Sequence, residues 1–190
     1  QGQFTTFEAF RDYLGRHLQY SDEEVQALAA RRRQERRQIR IRDLQRIADL
    51  CRSCGIPLIS HDDDTRAKVA WAAALGVVIA EFPVSQEAAC AAHDKGMSVA
   101  MGAPNLVLGH STHDNLTALE ALRHGLLDIL CSDYAPMSML HAVFQLQGAR
   151  SMPLHDAVAL VSLNPARAVG IDDDCGSIEA GKRADLLLVD

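Results

Sequence analysis

Two stretches of the chain place side chains that could bind a metal ion directly after an apolar run. Residues 57–59 lead through a serine into His61 and then into three aspartates at positions 62–64. About seventy residues later, the largely apolar residues 127–131 lead through a second serine to Asp133. Imidazole nitrogen and carboxylate oxygen are ligands that zinc, manganese and similar divalent ions accept. We therefore predict that His61 and Asp133 bind one metal ion, with a simple turn histidine as the alternative for His61.

Further metal ligands are needed, because a catalytic site uses three or more protein ligands. The candidates are Glu81 and the segment 110–115, which carries His110 and His113, or residues that this sequence does not contain. Each has a second interpretation. Glu81 precedes a Phe-Pro pair and would then only end a strand. The segment 110–115 would cap a helix or offer imidazoles and hydroxyls to phosphate, and Asp133 would likewise be a helix N-cap.

From residue 55 onward, short apolar runs alternate with helical patterns, which is typical of βα units and a parallel sheet. In a barrel built from such units the carboxyl ends of the strands face one mouth, so distant residues converge there. Asn105 follows the third strand end and joins the candidates. We predict an α/β fold with strands at 56–60, 77–81, 97–101 and 128–132, helices at 66–74, 85–95, 115–124, 139–146 and 154–161, and a short helix with a glycine stop within 164–170.

The first part of the chain is basic and helical. Residues 1–55 carry 11 Arg and 8 acidic residues (+3), whereas residues 56–190 carry 8 Lys and Arg and 17 acidic residues (−9). Ser21 and Glu24 have the spacing of a capping box, which predicts a helix start there. One long helix or two in series would then extend to Cys54. The eight arginines between positions 31 and 46 could bind nucleic acid or polyphosphate, but a solvated or subunit-facing helix surface is the interpretation we favour.

Composition restricts the class of protein. No apolar run approaches the roughly twenty residues of a membrane span. The five cysteines form no disulfide pattern, which favours a reducing compartment and a cytoplasmic protein. The 190 residues fall short of the roughly 250 of a complete eight-stranded barrel, and both ends lack the character of natural termini, so we expect a fragment.

Five segments together resemble the amidohydrolase superfamily. They are residues 60–63, 81–85, 101–105, 131–134 and the tail 176–186. Within the superfamily they are most similar to the diphosphatase family of the carbon–phosphorus lyase pathway, which degrades phosphonates. The resemblance implies that residues 1–170 form strands five to eight of a TIM-like (β/α)8 barrel with their helices, and that residues 171–190 belong to a small flanking β-sandwich.

The same resemblance implies a reaction and a set of site residues. The expected reaction is metal-dependent hydrolysis of a ribose 1-methylphosphonate 5-triphosphate to the 5-phosphate and pyrophosphate. The expected cofactor is zinc, with manganese or iron as alternatives, and the expected assembly is a homo-oligomer that binds a phosphorylated ribose phosphonate. His61, Glu81 and Asp133 would be metal ligands, although position 81 could have left the metal sphere, and Asp133 would also be the catalytic base. The implied substrate-binding residues are Asn105, Ser111, His113 and Asn115.

Two departures from the family pattern keep alternatives open. The first-strand His-x-His pair and the fourth-strand ligand are absent, so we expect the segment alone to be inactive. Leu108 stands where an arginine is expected, and losing an arginine beside a triphosphate weakens anion binding. The alternatives are another amidohydrolase, of the cyclic amidase or adenine deaminase type, and an inactive fragment that acts as a binding module.

Overall fold

The computed structural model describes residues 4, 6–38, 41–111 and 115–189, with the side chains of 36–38 left out. Between residues 58 and 131, strands alternate with helices, as predicted. The elements are α1 Phe7–Leu18, α2 Asp22–Gln38, α3 Ile41–Ser53, β1 Leu58–His61, α4 Arg66–Ala74, β2 Val77–Glu81, α5 Gln86–Asp94, β3 Ser98–Gly102, α6 Ala103–Leu108, α7 Ala118–Arg123, β4 Ile129–Cys131, α8 Ser138–Gly148, α9 Leu154–Ala159 and α10 Leu163–Val169.

The sheet is parallel and its four strands follow one another in chain order, β1-β2-β3-β4. A doubly wound sheet reverses its strand order at a switch point, whereas a βα barrel keeps winding in one direction. The predicted α/β fold with a parallel sheet is therefore confirmed. The register sets His61 opposite Glu81, and Gly102 opposite Cys131, so the carboxyl ends of all four strands lie along one edge.

Short polar side chains cap the N-termini of helices α4, α5 and α7. Thr65, Ser85 and Thr117 each precede a helix and accept a hydrogen bond from the backbone amide three residues later. Such caps satisfy amides that have no partner inside the helix. The helix predicted at 85–95 is present as α5, with Ser85 as its cap. The helix predicted at 115–124 begins only at Ala118, so its predicted start was wrong.

Helix α6 was not predicted. Its sequence carries both of the expected signals, because Pro104 lies in its first turn and Gly109 ends it in a left-handed conformation with φ 75°. It follows β3 without a loop, as Gly102 is both the last residue of the strand and the cap of the helix. Helix α6 therefore places Asn105 and Leu108 beside the carboxyl edge of the sheet.

The core between sheet and helices is rich in alanine. Helix α5 buries Ala88, Ala89, Ala91 and Ala92, which leaves room for the larger side chains of the strands beneath it. Strands β3 and β4 and helix α8 contribute larger members of this core, among them Val99, Met101, Leu130, Val143 and Leu146. Small residues on the helix allow its axis to approach the sheet closely, and this close packing holds the strand ends in place.

Helices α1 and α2 have a separate small core of Phe4, Phe10, Leu14, Val25 and Ala29. Three arginines of the basic stretch make side-chain contacts in this region. The guanidinium carbons of Arg32 and Arg33 lie 5.6 and 5.9 Å from the ring centres of Phe10 and Phe7, and Arg31 pairs with Glu35 at 2.9 Å. These contacts favour the interpretation of a helix surface over that of a nucleic-acid site.

Beyond α10 the described residues 171–189 contain no strand, so their assignment to a β-sandwich stays a prediction. The described helices include none that is long and apolar enough to cross a membrane.

We expect the isolated 190-residue chain to self-associate. Strand β1 is an edge of the sheet and carries the exposed Ile59, and Ile47 and Trp71 near it are also exposed. Edge strands with exposed apolar neighbours pair with other chains. Size-exclusion chromatography with light scattering should give species above the 20.7 kDa of one chain. Ile59→Lys should reduce this association, and a well-folded monomer of the unchanged chain would contradict the prediction.

The start of α2 should lose stability in acid. The backbone amide of Ser21 and then its hydroxyl donate to the Glu24 carboxylate at 2.8 and 3.0 Å, and they hold the pKa of Glu24 below its ordinary value. A lowered folded-state pKa contributes stability above the unfolded value of about 4.3, and that stability is lost as pH falls through the folded value. In an NMR titration, Ser21→Ala should raise the pKa of Glu24. An unchanged titration would refute this.

Candidate functional site

A cleft of about 360 Å³ lies at the carboxyl edge of the sheet. It brings together five of the seven predicted site residues, which are His61, Asn105, Ser111, Asn115 and Asp133. Glu81 does not line the cleft but lies next to it, with a carboxylate oxygen 3.9 Å from the Nε2 atom of His61. His113 lies outside the described residues. The site assignments themselves stay predictions, because proximity alone assigns no role.

The backbone is strained where three of the strands reach this edge. Asp62, Phe82 and Asp133 adopt left-handed conformations, with φ of 54°, 52° and 46°. Residues other than glycine rarely adopt this conformation, and it costs on the order of 1–3 kcal/mol where a structure imposes it. The strain falls directly after β1 and β2 and two residues after β4, and all three residues line the cleft.

His61 has a different neighbour on each side of its ring. Its Nδ1 atom lies 3.0 Å from the carboxylate of Asp62, and its Nε2 atom faces Glu81 at 3.9 Å. The Phe82 ring meets the imidazole edge to face, with 5.2 Å between ring centres and an angle of 84°. The side chain is still 53% exposed, so the imidazole is accessible from the cleft.

Lys68 of α4 fixes the turn that carries His61. Its ammonium group donates to the backbone carbonyls of His61, at 3.3 Å, and of Asp62, and it lies 3.5 Å from the carboxylate of Asp63. The Asp63 side chain is only 1% exposed and also accepts a hydrogen bond of 2.5 Å from the Ser60 hydroxyl. A buried carboxylate with these partners is structural. Asp63 therefore holds the turn, and Asp62 faces the cleft.

Glu81 also approaches Cys131, which lies two strands away. The thiol donates to Glu81 at 3.9 Å and to the Met101 carbonyl at 3.6 Å. Burial, followed by the negative charge of Glu81, raises the pKa of the Cys131 thiol to about 12. Cys131 is therefore a protonated donor at neutral pH. Side chains from alternate strands meet in layers inside a βα barrel, and Glu81 and Cys131 follow that rule.

Two of the predicted substrate-binding residues, Asn105 and Ser111, also accept hydrogen bonds from backbone amides on their side of the cleft. The Oδ1 atom of Asn105 accepts a hydrogen bond of 2.8 Å from the Ala118 amide at the start of α7. The hydroxyl of Ser111 accepts one of 3.3 Å from the Asn115 amide. This wall of the cleft is consequently tied to α6 and α7.

The side chains near His61 fit part of a divalent metal site. Histidine nitrogen and carboxylate oxygen are the expected ligands, and a 3.9 Å gap between Nε2 and Glu81 is too long for a hydrogen bond. Within the described residues, however, no group of three or more histidine, cysteine or acidic side chains could hold an ion. A complete site needs further ligands.

The described lining of the cleft includes no Lys or Arg. Its apolar part is formed by Phe82, Pro83, Met101, Pro104, Leu108, Leu116 and Tyr134. Its charged part is acidic, with Asp62 and Asp133. A polyphosphate bound here would have to be neutralised by groups other than these residues.

The comparison with known proteins agrees with this architecture. A model of the amidohydrolase family matches residues 5–190, nearly the whole chain. The chain belongs to the amidohydrolase family. The resemblance noted from the motifs is thereby confirmed, and so is the relation of the fold to that of the barrel hydrolases.

This amidohydrolase chain is 47% identical over 197 aligned positions to the alpha-D-ribose 1-methylphosphonate 5-triphosphate diphosphatase of Escherichia coli (strain K12). The match covers 99% of the chain and 50% of the relative, so the chain spans about half the relative's length. A 5-methylthioadenosine/S-adenosylhomocysteine deaminase of Moorella thermoacetica is 51% identical over 39 residues, 20% of the chain and 9% of the relative. A dihydroorotase of Methanopyrus kandleri is 33% identical over 94 residues, 40% of the chain and 22% of the relative.

Sequence reasoning missed three side chains at this edge, Asp62, Lys68 and Cys131. Asp62 and Asp63 look alike in the sequence, and only the fold shows that one is buried and one lines the cleft. Lys68 lies in the first turn of α4. A lysine soon after three aspartates was the sequence signal that could have suggested an ion pair. Cys131 carried no signal, because its partner Glu81 is fifty residues away in the chain.

Lys68→Met should destabilise the protein by about 1–3 kcal/mol, because the buried Asp63 carboxylate loses its cation and two turn carbonyls lose a donor. The methionine keeps most of the aliphatic volume. Urea unfolding followed by circular dichroism measures the change, and Lys95→Met, at an exposed position, is the matched control. Equal unfolding midpoints for the two variants would contradict the role given to Lys68.

Proposed function

We propose that this chain is the C-terminal half of the barrel of a divalent-metal hydrolase. The enzyme cleaves alpha-D-ribose 1-methylphosphonate 5-triphosphate to the 5-phosphate and pyrophosphate in phosphonate catabolism. The single observation that carries the proposal is the 47% identity to the Escherichia coli diphosphatase across 99% of this chain. The location of His61 and Asp133 in one cleft, with Glu81 beside it, supports it.

The proposed roles follow from position and chemistry. His61 and Glu81 present a nitrogen and an oxygen to the ion, with Asp133 as a further ligand. Zinc is the preferred ion, with manganese or iron as alternatives. A bound divalent ion supplies a water of lowered pKa and neutralises charge on the transferring phosphoryl group. Asp133 accepts the proton of the attacking water as general base. The remaining ligands come from the part of the barrel that this chain does not span.

Four residues bind the substrate in this proposal. Asn105, Ser111 and Asn115 line the cleft, and His113 lies outside the described residues. The four side chains offer amide, hydroxyl and imidazole groups to the ribose and the phosphates. Because the described cleft lining carries no Lys or Arg, the cations for the triphosphate come from the ion and from residues beyond this chain.

A second candidate is hydrolysis of a planar amide or an aminopurine. It is favoured by one observation, the cleft itself, which has apolar walls, two acidic residues and no Lys or Arg among its described residues. Such a lining suits a planar neutral ligand with a few polar contacts. The shorter matches to a deaminase and a dihydroorotase are consistent with it.

Pyrophosphate release tests the first candidate, in a protein that contains this chain and the other half of its barrel. His61→Asn and Asp133→Asn should each reduce kcat by roughly 100-fold or more, since a general base alone contributes about 10²–10⁴. A chelator should abolish turnover and added zinc or manganese should restore it. His155→Asn, at a side chain that is 82% exposed, is the control and should leave turnover unchanged.

The same preparation distinguishes the two candidates. It is offered the ribose triphosphate, an aminopurine nucleoside and a cyclic amide under identical conditions. Ammonia release or ring opening in the absence of pyrophosphate release would replace the first candidate by the second. No turnover with any of the three, in a protein that carries metal, would refute both candidates.

A further inference from the structure

Tyr134 is a large side chain of the cleft whose polar group takes no part in the hydrogen bonding of the fold. It follows Asp133 directly, lines the cleft and is 70% exposed. Among the described residues, its phenol makes no hydrogen bond and its ring makes no aromatic contact. Aromatic side chains offer a ligand much apolar area and lose little conformational freedom on binding. The Tyr134 ring is therefore available to a ligand.

The backbone on both sides of Tyr134 is held in place. The Ala135 amide donates to the Ser132 carbonyl at 2.9 Å and closes a turn around Asp133 and Tyr134. The Ala135 carbonyl accepts from the amide of the buried Ser138, at 2.9 Å, and from its hydroxyl, at 2.6 Å. The turn is thereby joined to the start of α8. A fixed backbone gives the exposed ring a defined place at the cleft and reduces the entropy that binding costs.

A second apolar side chain of the cleft is exposed as well. Leu108 is the last residue of α6, lines the same cleft and is 55% exposed. The end of this helix is held by Gly109, whose amide donates to the Asn105 carbonyl at 3.0 Å. A single exposed apolar side chain is ordinary in a protein. Two of them on different elements of one cleft, whose described lining has no Lys or Arg, indicate a ligand with an apolar surface.

We propose that Tyr134 is a specificity-determining residue whose ring packs on the sugar ring of the substrate, with Leu108 as a second apolar contact. The inference rests on the proposed function for the identity of the substrate. The triphosphate and the methylphosphonate of that substrate are anionic, and only the C–H faces of its ribose are apolar. Because an anionic group is costly to desolvate against an uncharged wall, the ribose is the part that suits these two side chains.

The position of Tyr134 next to Asp133 is consistent with a contact to the sugar. Under the proposed function, Asp133 is the general base, so the reacting phosphorus lies near its carboxylate. The bond that is cleaved joins the first and second phosphoryl groups. The first of these is linked to the ribose through one oxygen and one methylene group. The sugar therefore lies only a few bonds from the group on which the base acts.

Calorimetric titration tests the contact without turnover, in a metal-loaded protein that contains this chain and the other half of its barrel. One probe is the substrate analogue with a methylene group in place of the oxygen between the first and second phosphorus atoms, where it cannot be cleaved. The other is inorganic triphosphate, which has no sugar. Tyr134→Ala should weaken binding of the analogue by roughly 10-fold, through loss of a packed aromatic ring. The affinity for inorganic triphosphate should stay the same.

Three further variants sharpen the test. Tyr134→Phe keeps the ring and should bind the analogue like the unchanged protein, whereas Leu108→Ala should show the same selective loss to a smaller extent. Met137→Ala is the matched control and should bind both probes normally. Met137 lies in the same connection between β4 and α8 and is 65% exposed, but it is not part of the described cleft lining. Thermal unfolding of each variant shows that the fold is retained.

Four results would overturn the proposal. Tyr134→Ala could leave binding of the analogue unchanged, or it could weaken both probes equally. Tyr134→Phe could lose as much affinity as Tyr134→Ala, which would assign the effect to the hydroxyl. Finally, Tyr134→Ala could lose affinity for an aminopurine nucleoside and keep it for the analogue, which would assign the ring to a planar base.

Failure of the proposed function is seen separately. An unchanged protein that binds the analogue through Tyr134 but releases no pyrophosphate from the substrate would refute the proposed function and leave the sugar contact intact. An unchanged protein that releases pyrophosphate, with analogue binding unaffected by Tyr134→Ala, would refute the sugar contact alone. An unchanged protein that does not bind the analogue would refute both.

Discussion

The backbone pairing of β1 with β2 sets His61 opposite Glu81, and most of the cleft depends on that register. A shift of one residue in either strand would turn every side chain of that strand to the other face of the sheet. The imidazole and the carboxylate would then no longer face each other, and the Asp62 amide would lose the Glu81 carbonyl as its acceptor. The register is maintained by the alanine-rich helices behind the sheet, which leave little room for a shifted strand.

The sequence predicted the regular part of the fold well because local signals determine it. The bounds of α4 and β2 agree with the structure at both ends, since each is set by an apolar run with a threonine cap or a glycine beside it. Helix α6 was missed although Pro104 and Gly109 mark its two ends locally. The start of α7 was missed because the Asn105 side chain holds it from thirteen residues away. No local pattern contains such a contact.

For the candidate site, the sequence indicated which polar residues would meet at the strand ends, and it did not indicate how they are supported. His61, Asn105 and Asp133 could be found because each is a polar residue after an apolar run. The supports could not be found in this way. Lys68, Asp63 and Ser60 act together through one buried carboxylate, and Cys131 contacts Glu81 across an intervening strand. These relations depend on burial and on strand order, neither of which is visible in residue spacing.

Charge is distributed in a way that bears on the substrate. Arg32 and Arg33 of α2 lie over aromatic rings and Arg31 pairs with Glu35, and none of these three side chains lines the cleft. The cleft itself contributes carboxylates and apolar surface. Under the proposed function, a bound ion would therefore also have to offset phosphate charge, because the described lining of the cleft has no Lys or Arg.

The left-handed residues at the strand exits make the sheet edge an unusual target for protein engineering. Glycine at Asp62 or Asp133 would relieve backbone strain of about 1–3 kcal/mol, so a screen that rewards only thermal stability would favour such changes, whereas glycine at Phe82 would also remove the ring that packs against His61. Each change would also remove a side chain that lines the cleft. Under the proposed function, stability and activity are thus opposed at these positions, and a more heat-resistant variant is best sought in the helices behind the sheet.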